Sequence, residues 1–127
     1  MIQKIDETFT GPPPGGAYSH SIRKGNFVAI AGQCGYLSDR TLVEGLEEQT
    51  RLAIKNLQFA LEGAGGTLGD VITVNVFLTD SDHFDRMNRV YAEFFETPYP
   101  ARTTVFVGLR PGVLFEINAL AILTETD

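Results

Sequence analysis

Apolar positions along this chain switch between two spacings, and the switches mark its elements. Tyr18–Lys24 and Phe27–Gln33 alternate as two strands around the turn Lys24-Gly25-Asn26. From about Glu44 to Ala64 the spacing lengthens. Leu46, Ala53, Ile54, Leu57, Ala60, Leu61 and Ala64 recur at three or four residues and form the buried stripe of one helix. Glu47 and Arg51 fall four apart on its solvent side, and Gly63, Gly65 and Gly66 supply a left-handed cap. Alternation returns in Val71–Leu78, where Ile72, Val74, Val76 and Leu78 share an apolar face. Ser81 or Asp82 is placed to cap a second helix with the stripe Phe84, Met87, Tyr91, Phe94 and Phe95, which Pro98 and Pro100 stop. Two closing strands follow, Ala101–Leu109 and Val113–Leu123, joined at Arg110-Pro111-Gly112, and Ile2–Ile5 offers a short further strand at the start.

This order predicts an α+β fold: a single mixed β-sheet of about six strands with two helices packed on one face. Two helices cover only one face of such a sheet, so a partner subunit is the expected cover for the other. No repeat, low-complexity segment or dividing linker interrupts residues 1–127, which read as a single domain. The turn-rich Gly11–Gly16 stretch comes too early to separate two folded units.

Composition narrows the classes. The apolar stretches around 71–78 and 113–123 are broken by Thr73, Asn75, Glu116 and Asn118, so neither spans a bilayer. Met1–Asp6 lacks the basic region and apolar core of a signal peptide, and one cysteine, Cys34, excludes an internal disulfide framework. The expected compartment is the cytoplasm. A net charge of −6 argues against nucleic acid as a partner. It also requires any site for an anion to supply its own local positive charge.

The chemistry concentrates in the closing strands. Alternation puts Thr103, Val105, Val107 and Leu109 on one face and Arg102, Thr104, Phe106 and Gly108 on the other. In the last strand Val113, Phe115, Ile117, Ala119 and Ala121 oppose Leu114, Glu116, Asn118, Leu120 and Ile122. Taking the two strands as neighbours, a cation, a hydroxyl, a carboxylate and an amide lie in otherwise apolar surroundings. Burying them unpaired costs several kcal/mol each, on the order of the transfer penalty for polar groups. Either they satisfy one another, as in an internal Arg102–Glu116 salt bridge, or they face a polar cleft. Cys34 reads as a small hydrophobe, and His20 and His83 lack ligand spacing, so no metal site is expected. The glycine-rich Gly63–Gly69 follows a helix and precedes a strand, the wrong order for a phosphate-binding loop.

Several motifs together resemble the RidA/YjgF family. Tyr99-Pro100-Ala101-Arg102-Thr103-Thr104-Val105 is similar to its P-A-R-[ST]-x-V signature, and Phe115-Glu116-Ile117-Asn118-Ala119-Leu120-Ala121 to its closing [VI]-E-[IV]-E-A-[IV]-A strand. Ala31-Gly32-Gln33 resembles S-G-Q, Ala17-Tyr18 resembles G-P-Y, and Met87–Phe95 resembles N-x-x-Y-x-x-F-F. The strand Val74–Asp80 before that helix also matches, and the likeness runs from about residue 17 to 123.

The resemblance implies a chorismate-mutase-like fold closing into a homotrimer, with ligand clefts at the subunit interfaces. It implies an enamine/imine deaminase that hydrolyses 2-imino acids of the 2-aminoacrylate type to 2-keto acids and ammonia, with no cofactor. Arg102 would bind the substrate carboxylate, a task suited to the guanidinium fork. Tyr18, Gly32, Asn88, Thr104 and Glu116 would line the substrate cleft. The family's catalytic glutamate is expected where this chain has Asn118, so Asn118 with backbone groups would hold the attacking water as a catalytic residue, without acting as a general base. Glu116 lies about 6–7 Å from it along the same strand face. That departure keeps two alternatives open: a pathway-specific relative acting on another small unsaturated amino or imino carboxylate such as 2-aminomuconate, and a non-catalytic 2-keto-acid-binding or regulatory trimer.

Overall fold

A computed structural model describes residues 11–124. The strands are β1 (Ser21–Lys24), β2 (Phe27–Gln33), β3 (Val71–Leu78), β4 (Ala101–Phe106) and β5 (Phe115–Ile122), and the helices are α1 (Leu46–Gly63) and α2 (Phe84–Tyr91). The sheet has five strands in the order β1-β2-β5-β3-β4, all neighbours antiparallel except the parallel pair β3–β4. The expectation was about six; the candidate strand at Ile2–Ile5 lies outside the described residues.

Both helices lie on one face. Val28 and Ile30 of β2, Val74, Val76 and Leu78 of β3, and Phe115, Ile117, Ala119 and Ala121 of β5 are buried there with Ala53, Ile54, Leu57 and Leu61 of α1 and Met87 and Tyr91 of α2. Burying each larger apolar side chain contributes about 1.5–3 kcal/mol, so this layer dominates the fold's stability. The opposite face keeps apolar groups in solvent, including Phe27, Val105 and Ile122.

Three local expectations change. Ile72 is 44% exposed, because Val71 pairs with Ala121 and Thr73 with Leu120. Ile72 is therefore the extra residue of a bulge, and Val71 takes the buried place. Arg51 pairs with Glu48, three residues away, and with Glu93 beyond α2, while Glu47 meets Arg86. A cross-helix carboxylate at 2.9 Å outcompetes the i,i+4 partner. The second helix is entered through a short 3-10 turn, Ser81–His83, and Asp80 rather than Ser81 or Asp82 accepts the capping bond, from the Asp82 N–H.

Two buried polar residues of α1 anchor the loops above the sheet. The Asn56 amide donates to the carbonyls of Cys34 and Tyr36, at 3.1 and 3.0 Å. Gln49 donates to the Gly112 carbonyl and accepts from the Leu114 N–H. Gly35 permits this docking, because a Cβ there would come within 2.7 Å of the Gln49 Cα. The segments after β2 and before β5 are thus held by one helix, and between them they form a cleft.

Candidate active site

This first cleft, about 340 Å³, lies between the proline-rich entry, the end of β2 and the start of β5, with Tyr18, Gly32, Cys34, Arg40, Arg110 and Glu116 among its walls. Glu116 is placed by the pleat of β5 and by an irregularity in β2. Ile30 pairs with Ala119 but Gln33 with Ile117, so one extra residue loosens the ladder at Ala31–Gly32. The Glu116 carboxylate fills the space that opens, lying against Gly32 where any Cβ would collide with it. Gly32→Ala is therefore expected to displace the carboxylate and to lower activity while leaving the core intact. A crystal structure of the variant with Glu116 unmoved would overturn this.

Cys34 Sγ lies 3.5 Å from Glu116 Oε1 and donates to it. Burial, and then the Glu116 charge, push the thiol far above its ordinary range, so it stays protonated and acts as a donor rather than a nucleophile. Tyr18 lies on the cleft rim, its hydroxyl accepting the Gly15 N–H at 3.1 Å. Beneath it His20 is buried. Its Nδ1 meets the Gln33 amide at 3.0 Å, and its Nε2 donates to the Pro12 carbonyl at 2.6 Å. The Gln33 amide, which also donates to Ala31, requires this tautomer. The pair pins the entry segment over the site.

Arg102 opens onto a second cleft of about 370 Å³ with Asn88, Tyr91, Ala92, Tyr99 and Pro100. Its guanidinium carbon lies 4.8 Å from the Tyr91 ring centre and 5.7 Å from that of Phe84, which orients the fork through two ring faces. None of the ion pairs among the described residues uses it. Burial raises the Tyr91 pKa, against the pull of the neighbouring Arg102 guanidinium. Thr104 shares the face of Arg102 by alternation but is not among the cleft's lining residues.

The two clefts lie on opposite faces of the sheet. Arg102 and Thr104 pair with Val74 and Val76, which face the helices; Glu116 and Asn118 pair with Phe77 and Asn75, which face away. β3 separates β4 from β5, so the closing strands are not neighbours and the Arg102–Glu116 salt bridge does not form within the chain. Asn118 lines neither cleft; its Oδ1 accepts from the Asn75 amide at 2.9 Å. The carboxylate in the cleft is Glu116, two residues nearer the loosened ladder. Arg40, which no motif or spacing marks, and Arg110, read only as part of a turn, also line the first cleft, and Tyr91 and Phe84, read as core, form the platform beside Arg102. Among the described residues no three His, Cys, Asp or Glu side chains come together as metal ligands. No helix among them is long and apolar enough to cross a membrane.

Comparison with known proteins places this architecture. The family model described as Endoribonuclease L-PSP matches residues 9–123. A 2-iminobutanoate/2-iminopropanoate deaminase of Dermatophagoides farinae is 34% identical, over 95% of this chain and 97% of that one. The crystal structure of RidA from an Antarctic Psychrobacter superposes with a TM-score of 0.90 at 36% identity, covering 95% and 99% of the two chains. Escherichia coli TdcF with bound serine gives 0.89 at 32%, covering 96% and 100%. With the signature arginine over its ring platform, the carboxylate over Gly32, and likeness along nearly its whole length, the chain belongs to the RidA/YjgF family.

Proposed function

We propose that this protein is a 2-imino-acid deaminase in which Arg102 binds the substrate carboxylate and Glu116 activates water. The observation that carries the reading is Glu116. Its carboxylate is held in an open cleft beside Tyr18, against a backbone that only glycine leaves clear, with the Cys34 thiol donating to it. In the step proposed, Glu116 takes a proton from water as the water oxygen bonds to C2 of the protonated imine. The C=N electron pair moves to nitrogen and a carbinolamine forms. Glu116 then returns the proton to nitrogen, the hydroxyl O–H pair closes the C=O bond as the C–N bond breaks, and the hydroxyl proton passes to the departing ammonia, which leaves as ammonium with the 2-keto acid. Asn118, paired with Asn75, has no part in this assignment. The family model's description names an endoribonuclease, but the net charge of −6 works against phosphate-backbone binding.

Arg102 and Glu116 face opposite sides of the sheet, so a small substrate must meet them from two chains. We therefore assign the working form as a homotrimer whose interface clefts join the Arg102 half of one subunit to the Glu116 half of the next. The exposed Phe27, Val105 and Ile122 on the uncovered sheet face support a subunit contact there. Sedimentation equilibrium is expected to give three times the 13.9 kDa chain mass, and a stable monomer at micromolar concentration would refute the shared site. The activity is tested by generating 2-imino acids with an amino-acid oxidase and following 2-keto acid release. The protein is expected to accelerate release, and an unchanged rate would reject the assignment.

A further inference from the structure

The Glu116 cleft carries cations that the deaminase step does not use. The turn before α1 closes with Leu37 N–H to Thr41 O and Arg40 N–H to Leu37 O, each 2.8 Å, and sets Arg40 in the left-handed region at φ 70°. One nitrogen of its guanidinium reaches the carbonyls of Pro13 and Pro14 at 3.4 and 3.2 Å. The other is directed elsewhere. A Cβ built on Gly15 would lie 3.9 Å from Arg40 Nη1, 3.8 Å from Arg110 Nη1 and 3.7 Å from the Tyr18 hydroxyl. Three donors from three segments therefore come within 4 Å of one point beside Gly15 at the cleft wall. The Tyr18 oxygen already accepts the Gly15 N–H, which leaves its proton free to donate outward.

Neither guanidinium has a carboxylate partner among the described residues. The Arg110 charge does act on Cys34, so Arg110 lies within electrostatic reach of the thiol that donates to Glu116. Two like charges gathered around one point repel, and an anion placed between them removes that repulsion. On a chain of net charge −6 such a cluster is a local exception. Lysines would serve as point charges; two planar forks and a hydroxyl instead fit the several lone pairs of a carboxylate.

We propose that Arg40, Arg110 and Tyr18 form a second carboxylate subsite, and that the substrate is accordingly a dicarboxylate. This rests on the deaminase reading, in which Arg102 holds the carboxylate next to the reacting carbon and Glu116 faces that carbon. The far carboxylate then lies beyond Glu116, against the two arginines, and the rest of the 340 Å³ cleft takes the short chain between them. Arg40 and Arg110 are specificity-determining residues: they touch the end of the substrate that does not react.

The test is calorimetric titration of the full-length protein with 2-oxobutanoate and with 2-oxoglutarate, product-like probes that differ by one carboxylate. The dicarboxylate is expected to bind at least about tenfold more tightly, and the preference should shrink with added salt because both guanidiniums reach solvent. In the Arg40→Gln, Arg110→Gln double variant the ratio of the two affinities is expected to fall towards one, with circular dichroism checking the fold. Arg110→Gln alone, at a turn whose side chain makes no ion pair among the described residues, should reduce the same ratio and guards against a misfolded double variant. Equal affinities in the unaltered protein, or a preference that survives both substitutions, would overturn the dicarboxylate inference while leaving the deaminase reading in place. Failure of the unaltered protein to bind either probe would overturn both.

Discussion

Replacing Glu116 with glutamine is expected to lower kcat for 2-imino-acid hydrolysis by about 10²- to 10⁴-fold, the usual contribution of a general base. This corresponds to about 3–5 kcal/mol of barrier. Glutamine keeps the shape that fits against Gly32, and its carbonyl still accepts from the Cys34 thiol, so the fold and the cleft should persist. What disappears is the capacity to take a proton from water. KM should change much less than kcat. Single-turnover measurement of 2-keto acid release separates the two, and a variant retaining activity within a few-fold would remove Glu116 from the chemistry. Asn118→Glu is a contrasting case. A carboxylate there would sit beside Asn75, outside both clefts, and no gain in rate is expected from it.

Arg102→Ala is expected to weaken binding of 2-keto acids by roughly 10²- to 10⁴-fold. Each hydrogen bond to a charged group is worth about 1.5–3 kcal/mol, and the fork makes two. Arg102→Lys should recover only part, since a point charge neither pairs bidentately nor stacks on Tyr91 and Phe84 as a guanidinium plane does. The fold should survive, because Arg102 lies on the edge strand β4 and makes no ion pair among the described residues. Calorimetric titration with 2-oxobutanoate reads the loss directly. An alanine variant that binds as tightly as the parent would show that the substrate carboxylate is held elsewhere, with Arg110 the first candidate.

These two expectations draw on residues that the pattern of the chain exposes with unequal clarity. Arg102 stands out because a cation interrupts an alternating strand, and its signature P-A-R neighbours mark it further. Glu116 and Asn118 are harder to tell apart: both lie on one face of β5, and alternation assigns them the same surroundings. The distinction comes from an extra residue in a different strand. The β2 irregularity brings Gly32 against Glu116, while Asn118 pairs across to Asn75. No local spacing in β5 carries that information.

The chain's own pattern determined the elements and the faces they bury. Period-two and three/four spacings are local consequences of backbone geometry, so Val74, Val76, Leu78, Ile54 and Leu57 could be assigned to a core from their spacing alone. Which strands become neighbours depends on pairing between distant segments, and only the tertiary structure decided it. β3 inserts between β4 and β5, separating Arg102 from Glu116 and turning an apparent salt bridge into two half-sites on opposite faces. The convergence of Arg40, Arg110 and Tyr18 belongs to the same class. Arg40 and Arg110 lie in a loop and a turn without periodic signal and Tyr18 lies just ahead of β1, so their meeting depends on α1 anchoring the flanking segments through Asn56 and Gln49. Periodicity reports which way a side chain points within its own element; long-range packing sets what it points at.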